Sequence, residues 1–190
     1  MEIKPLLAPT LKQRLVEFRL QLAVAFSGET ALPGARDDRT SAGQCAVAAL
    51  VLRARFGGDL VSASHWGVSH WFNRVRTEDG ELYDVDVTGD QFGFAPIRVA
   101  MGGTLFPRTI VRREDDVLDE TWARAIRLAT RAGLAELIPA LGRAVEDRSA
   151  GDRTTPTRRQ VIRTSTSSLA RARGSRRTPR TVRPSESLPG

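Results

Sequence analysis

Eight consecutive apolar residues, Cys45-Ala46-Val47-Ala48-Ala49-Leu50-Val51-Leu52, follow directly on the small-residue stretch Ser41-Ala42-Gly43 and Gln44. The spacing predicts a helix from about Gln44 to Phe56, ended by Gly57-Gly58, where a left-handed cap costs glycine least. A helix that is apolar all round belongs in the middle of a domain, with other elements packed around it. Cys45 is the only cysteine and stands at the start of this helix. Backbone N–H groups in a first helical turn have no intrahelical partner, and the helix dipole is positive there, so a thiolate is favoured relative to the thiol. The competing reading is that Cys45 is one more small hydrophobe at the edge of the core.

Length and charge divide the chain. Its 190 residues hold one domain of ordinary size with sequence to spare. From Arg148 to Gly190 eleven arginines face only Asp152 and Glu186, a local charge of +9, so the overall +7 leaves residues 1–147 at −2. The stretch 148–190 is Arg, Ser, Thr, Pro and Gly without periodicity and is expected to be a disordered tail, whereas 1–147 is expected to be a single globular domain. The high isoelectric point therefore belongs to the tail. Such a tail is either a solvated extension or a contact for nucleic acid or an acidic partner, since arginines release counterions on binding phosphate. No aromatic residue interleaves the arginines, which gives base stacking no support.

One cysteine excludes an intramolecular disulfide, and with only His65 and His70 a cysteine-rich zinc site is excluded as well. No metal or other cofactor is expected. The apolar run Leu20 to Phe26 follows Lys12, Arg14, Glu17 and Arg19 at helical intervals, the pattern of an amphipathic helix more than of a secretion signal. No segment approaches the ~20 apolar residues of a membrane span. A soluble protein of the reducing cytoplasm is the expectation.

Leu11, Leu15, Phe18, Leu22 and Phe26 recur at intervals of three and four and predict a helix over 10–27, followed by a loop from Gly28 to Ala42. After the cysteine helix come a short strand at Asp59 to Ser62 and two extended segments, Val68 to Arg76 and Glu81 to Val87, joined by Thr77-Glu78-Asp79-Gly80. Asp-Gly between alternating segments signals a hairpin. Alternation puts His70, Phe72 and Arg74 on one face, and Trp71, Asn73 and Val75 on the other; Leu82, Asp84 and Asp86 share a face of the second strand. Antiparallel pairing then brings His70 near Asp86. A turn at Thr88-Gly89-Asp90, a Gly-rich connection through Met101-Gly102-Gly103 and a short extended piece at Arg108 to Arg112 follow. Two helices close the domain, one begun by Asp119-Glu120 with Trp122, Ala125, Ile126 and Ala129 on one face, the other from Leu134 to Val145 beyond Gly133.

The blocks Gly43-Gln44-Cys45-Ala46-Val47-Ala48-Ala49-Leu50-Val51, Phe56-Gly57-Gly58, Ser69-His70-Trp71-Phe72-Asn73-Arg74 and Val85-Asp86-Val87-Thr88-Gly89-Asp90-Gln91-Phe92 resemble, in order and spacing, the YunG-like family of small bacterial proteins. The likeness covers about residues 40 to 95. The same arrangement looks like the wider papain and transglutaminase superfamily, in which a nucleophilic cysteine begins a helix packed on an antiparallel sheet that carries His and then Asp or Asn. That resemblance implies an α+β fold with a papain/transglutaminase-like core: the Cys-bearing helix on a small antiparallel sheet, with flanking helices. It also implies that His70 takes the thiol proton, Asp86 fixes its tautomer, and backbone N–H groups at Cys45, with Gln44 in support, hold an oxyanion.

On this reading the chain is a cysteine hydrolase or acyltransferase that works through a Cys45 thioester on an amide or ester of a small molecule or peptide. The alternative is a non-catalytic interaction module of the same fold, with the basic tail binding nucleic acid or acidic partners. Asp84 is the rival carboxylate, and Gln44 serves equally well as a helix cap. Trp66, Trp71 and Asn73 line a substrate cleft or else stabilise core and sheet. His65 reads as a loop residue.

Overall fold

The computed structural model describes residues 9–35 and 40–143, all within the unit Met1–Thr155. The expected boundary at 147/148 and the Arg-rich tail lie outside the described residues. Helix α1 spans Pro9–Ala25 and helix α2 spans Cys45–Phe56. Val47 to Leu52 of α2 are buried without a break, as the unbroken apolar run requires, and each buried Leu or Val contributes roughly 1.5–3 kcal/mol. Helix α3, Asp119–Arg131, packs along α2 through Trp122, Ala125, Leu128 and Ala129. Leu15, Phe18, Leu22 and Ala25 bury one face of α1 in the same core, and the Phe18 ring meets Phe56 edge to face at 5.4 Å.

The other wall of that core is a five-stranded antiparallel sheet in the order β4-β3-β2-β1-β5. Its strands are β1, Asp59–His65; β2, Val68–Arg76; β3, Leu82–Asp86; β4, Arg98–Met101; and β5, Ile110–Arg112. Leu60, Val75, Tyr83 and Val85 face the helices, while Val61, Ala63 and Phe72 form a smaller cluster with Phe106 on the opposite face. Asn73 bridges strand to helix, its Nδ2 donating to the Ala49 carbonyl at 3.0 Å.

The α+β architecture and the β2–β3 hairpin follow the sequence pattern, and three details depart from it. Strand β1 does not stop at Ser62 but continues to His65, which is therefore a strand residue and not part of a loop. It turns into β2 through Trp66-Gly67, with φ of 49° and 80°, a two-residue connection whose left-handed conformation is usually advertised by Asn-Gly. The apolar stretch before Met101 forms β4, because Val99 pairs with Val85 on a strand that would otherwise be an unpaired edge. In place of one helix over 134–145, a 3₁₀ turn at Ala135–Leu137 leads into helical backbone over 138–143; positions 144 and 145 lie outside the described residues.

Gly58, with φ of 86°, lets the start of β1 lie directly on β2: a Cβ there would press on the Arg74 carbonyl. Gly67 has a similar φ of 80° but open space around it. Gly58→Ala should therefore cost about 3 kcal/mol of stability and Gly67→Ala about 1 kcal/mol, read as the difference in urea unfolding free energy. Equal losses would refute the close approach as the reason for Gly58.

Candidate functional site

Gly43 makes the approach to α2 possible. At φ of 68° it passes so close to Ala35 and Leu32 that a side chain would not fit, and its carbonyl accepts the Leu32 N–H at 2.8 Å. Gln44 N–H closes a turn onto the Ser41 carbonyl at 3.0 Å. The Ser41 hydroxyl donates to Asp90 Oδ1 at 2.6 Å, and Arg19 Nη2 from α1 reaches both Asp90 oxygens at 3.2 and 3.1 Å. The loop before Cys45 is thereby fastened to the 3₁₀ turn Gly89–Phe92 that follows β3. Cys45 begins α2 half-buried, with a free thiol.

The β2–β3 ladder runs from Arg76↔Leu82 only to Asn73↔Val85, whereas β2 stays paired with β1 out to Val68. His70 lies beyond the last β2–β3 pair, where its ring reaches diagonally to the end of β3. His70 Nε2 is 3.0 Å from Asp86 Oδ2, and both side chains are fully enclosed. Asp86 Oδ1 accepts the Thr88 N–H at 2.8 Å and the Thr88 hydroxyl at 3.0 Å, so both carboxylate oxygens are satisfied. Burial by itself would lower the His70 pKa. Hydrogen bonds to Asp86 and to the Cys45 side chain, with the charges of both, outweigh it and raise the value to about 9. Cys45, half-buried, thus stands beside the enclosed His70–Asp86 pair.

Asp84, the rival carboxylate, is engaged elsewhere: Oδ1 accepts from Arg74 Nε at 2.8 Å and Oδ2 from the Gly103 N–H at 2.7 Å. Gln44 is buried with Nε2 donating to the Ser27 carbonyl at 2.9 Å, while its Oε1 has no hydrogen-bond partner among the described residues. Trp66 is 74% exposed at the β1–β2 turn and stacks on His65 at 4.7 Å. From Trp66 a run of ring contacts leads through Phe92, at 5.8 Å, to His70, whose ring is 4.9 Å from Phe92. Trp71 lies on the helix side of the sheet, half-buried beneath the Arg112 guanidinium. Asn73 is fully buried, its amide spent on Ala49.

Two further residues belong to the neighbourhood. Gln91 Nε2 lies 3.0 Å from His70 Nδ1. Arg124 on α3 falls within electrostatic reach of Cys45; burial draws its pKa below the usual arginine value, with Cys45 and Glu120 opposing. Gln91 stands in the same block as Asp86, so its position was open to inspection, but only the 3₁₀ turn brings it back over His70. No sequence signal marks Arg124. Among the described residues no group of three or more His, Cys, Asp and Glu side chains could hold a metal ion, and no helix is long and apolar enough to cross a membrane.

Because the His70 pKa in the folded state lies above the ordinary 6.5, its contribution to stability is complete below pH 6.5 and is lost as pH rises through about 9. The melting temperature should fall across that interval, and His70→Gln should remove most of the slope. A wild-type profile that stays flat there would contradict the His70–Asp86–Cys45 coupling.

No curated protein and no solved structure matches the chain. The family model described as YunG protein matches residues 14–132, from within α1 to the end of α3, and so takes in every residue of the cluster. The chain belongs to the YunG family.

Proposed function

We propose that this protein is a cysteine acyl-transfer enzyme of the papain- and transglutaminase-like type, with Cys45 as nucleophile, His70 as base and then acid, and Asp86 as the group that orients the imidazole. The observation that carries the reading is one enclosed imidazole held by Asp86 Oδ2 at 3.0 Å, with the Cys45 side chain that begins α2 near enough to help raise its pKa. A nucleophile, a base within reach of it and a third group fixing the base are what nucleophilic catalysis requires.

The thiol proton passes to His70 Nδ1, and sulfur attacks the carbonyl carbon of an amide or ester. The oxyanion that forms is met by the unpaired N–H groups at the start of α2. His70 returns the proton to the departing amine or alcohol as its bond to carbon breaks, which leaves a Cys45 thioester. Water or an amine, deprotonated by His70, then attacks the thioester, and sulfur leaves as the thiol is restored. Asp86 stays ionised and balances the imidazolium. The exposed Trp66 ring, held at a φ of 49° that costs a non-glycine residue about 1–2 kcal/mol, offers an apolar shelf for the acyl or leaving group. The reducing cytoplasm suits a single working thiol.

With p-nitrophenyl acetate as acyl donor, intact-mass analysis should find acetyl on Cys45 and a burst of nitrophenol. Cys45→Ala should abolish both, and His70→Ala should slow acylation by about 100-fold or more. Ester turnover that is unchanged by Cys45→Ala, with no adduct at Cys45, would overturn the proposal and leave the domain as a non-catalytic module.

A further inference from the structure

The orientation of the Gln91 amide can be worked out from its neighbours. Its nitrogen lies 3.1 Å from the Thr88 carbonyl, which can only accept, and 3.3 Å from the Thr88 hydroxyl, whose proton is already given to Asp86 Oδ1. Two acceptors therefore face the NH₂ group and exclude the flipped amide. One N–H is used on Thr88, and the second points at His70 Nδ1, 3.0 Å away. In the neutral ring Nδ1 must then present its lone pair, so the single imidazole proton sits on Nε2, where it is donated to Asp86.

This arrangement puts two groups in competition. With Nε2 committed to Asp86, Nδ1 is the nitrogen left for the Cys45 proton, yet Gln91 caps it. An Nδ1–H and a Gln91 N–H cannot point at each other. Formation of the thiolate–imidazolium pair therefore requires the Gln91 amide to leave Nδ1.

We propose that Gln91 is a positioning residue that fixes the neutral form of the His70 ring as the Nε2–H tautomer and opposes a proton on Nδ1, and so transfer from Cys45, until its N–H is drawn to another acceptor. A carbonyl oxygen bound beside Cys45 is such an acceptor, which would couple release of the base to arrival of substrate. The inference rests on the role proposed for Cys45 and His70, but its spectroscopic test does not depend on turnover. The titratable and charged groups around His70 are Asp86 on β3, Cys45 on α2 and His65 on β1, with Arg98 of β4 acting on His65. Burial, His70 and Arg98 lower the pKa of His65 while that of His70 is raised, so the two histidines titrate apart.

The test is nitrogen-15 NMR of the two imidazoles in the full chain across pH, together with the rate of Cys45 modification by methyl methanethiosulfonate, which has no carbonyl to recruit the amide. In the wild type the neutral His70 ring should carry the Nε2–H signature. Gln91→Met, which keeps length but has no N–H, should raise the His70 midpoint and speed thiol modification by about fivefold, the worth of one hydrogen bond. Gln91→Glu, which accepts from an Nδ1–H, should raise the midpoint further. An Nδ1–H tautomer in the wild type, or a midpoint and rate unmoved by both substitutions, would overturn the proposal. Should Cys45 acylate no ester, the NMR titration still decides the part played by Gln91, so the two readings fail separately.

Discussion

A carboxylate enclosed by protein is tolerable only if its charge is answered on every side, and Asp86 organises its surroundings by that demand. One oxygen takes both donors of Thr88 and so bends the chain out of β3 into the 3₁₀ turn. The other takes His70 and so fixes the ring on a part of β2 that β3 no longer accompanies. Leaving Asp86 buried with either set of donors missing would cost several kcal/mol, and this makes the turn, the imidazole and the strand end a single cooperative unit.

A second network ties that unit to the helices. Asp90 receives Arg19 from α1 and Ser41 from the loop before α2, so the start of the cysteine helix is positioned by the same turn that follows Asp86. Within the sheet, Asn73 fastens β2 to α2 at Ala49, one turn further along the helix than Cys45. Thiol and imidazole thus rest on a helix and a strand joined by a buried hydrogen bond, with the apolar face of α2 supplying the bulk of the burial.

Much of this was legible in the sequence because it is written in local signals. The unbroken apolar run gave α2, Asp79-Gly80 gave the β2–β3 hairpin, and alternation put His70 and Asp86 on matching faces. What stayed hidden depends on tertiary context. Trp66-Gly67 turns the chain without the usual residues, so β1 looked shorter than it is, and β4 exists because β3 supplies its partner. Asp84 and Asp86 look alike in sequence. Arg74 and the Gly103 N–H separate them, and neither is identifiable before the strands are paired. Asn73 alternates onto the expected face, yet the helix packed there takes its amide. Gln91 sits five residues beyond Asp86, and only a tight turn returns it to the ring.

The strand order also bears on how the chain reaches its fold. Strands β1 to β4 form a meander in which each pairs with the one before it, and Cys45, His70, Asp86 and Gln91 all fall on or beside that contiguous stretch. Strand β5 instead returns to β1, pairing Ile110 with Ser62 across the whole of β2 to β4. Closure entropy is small for the meander and larger for the final strand, so the elements that carry the site can come together first, and the outer edge at β5 closes over a nucleus already formed.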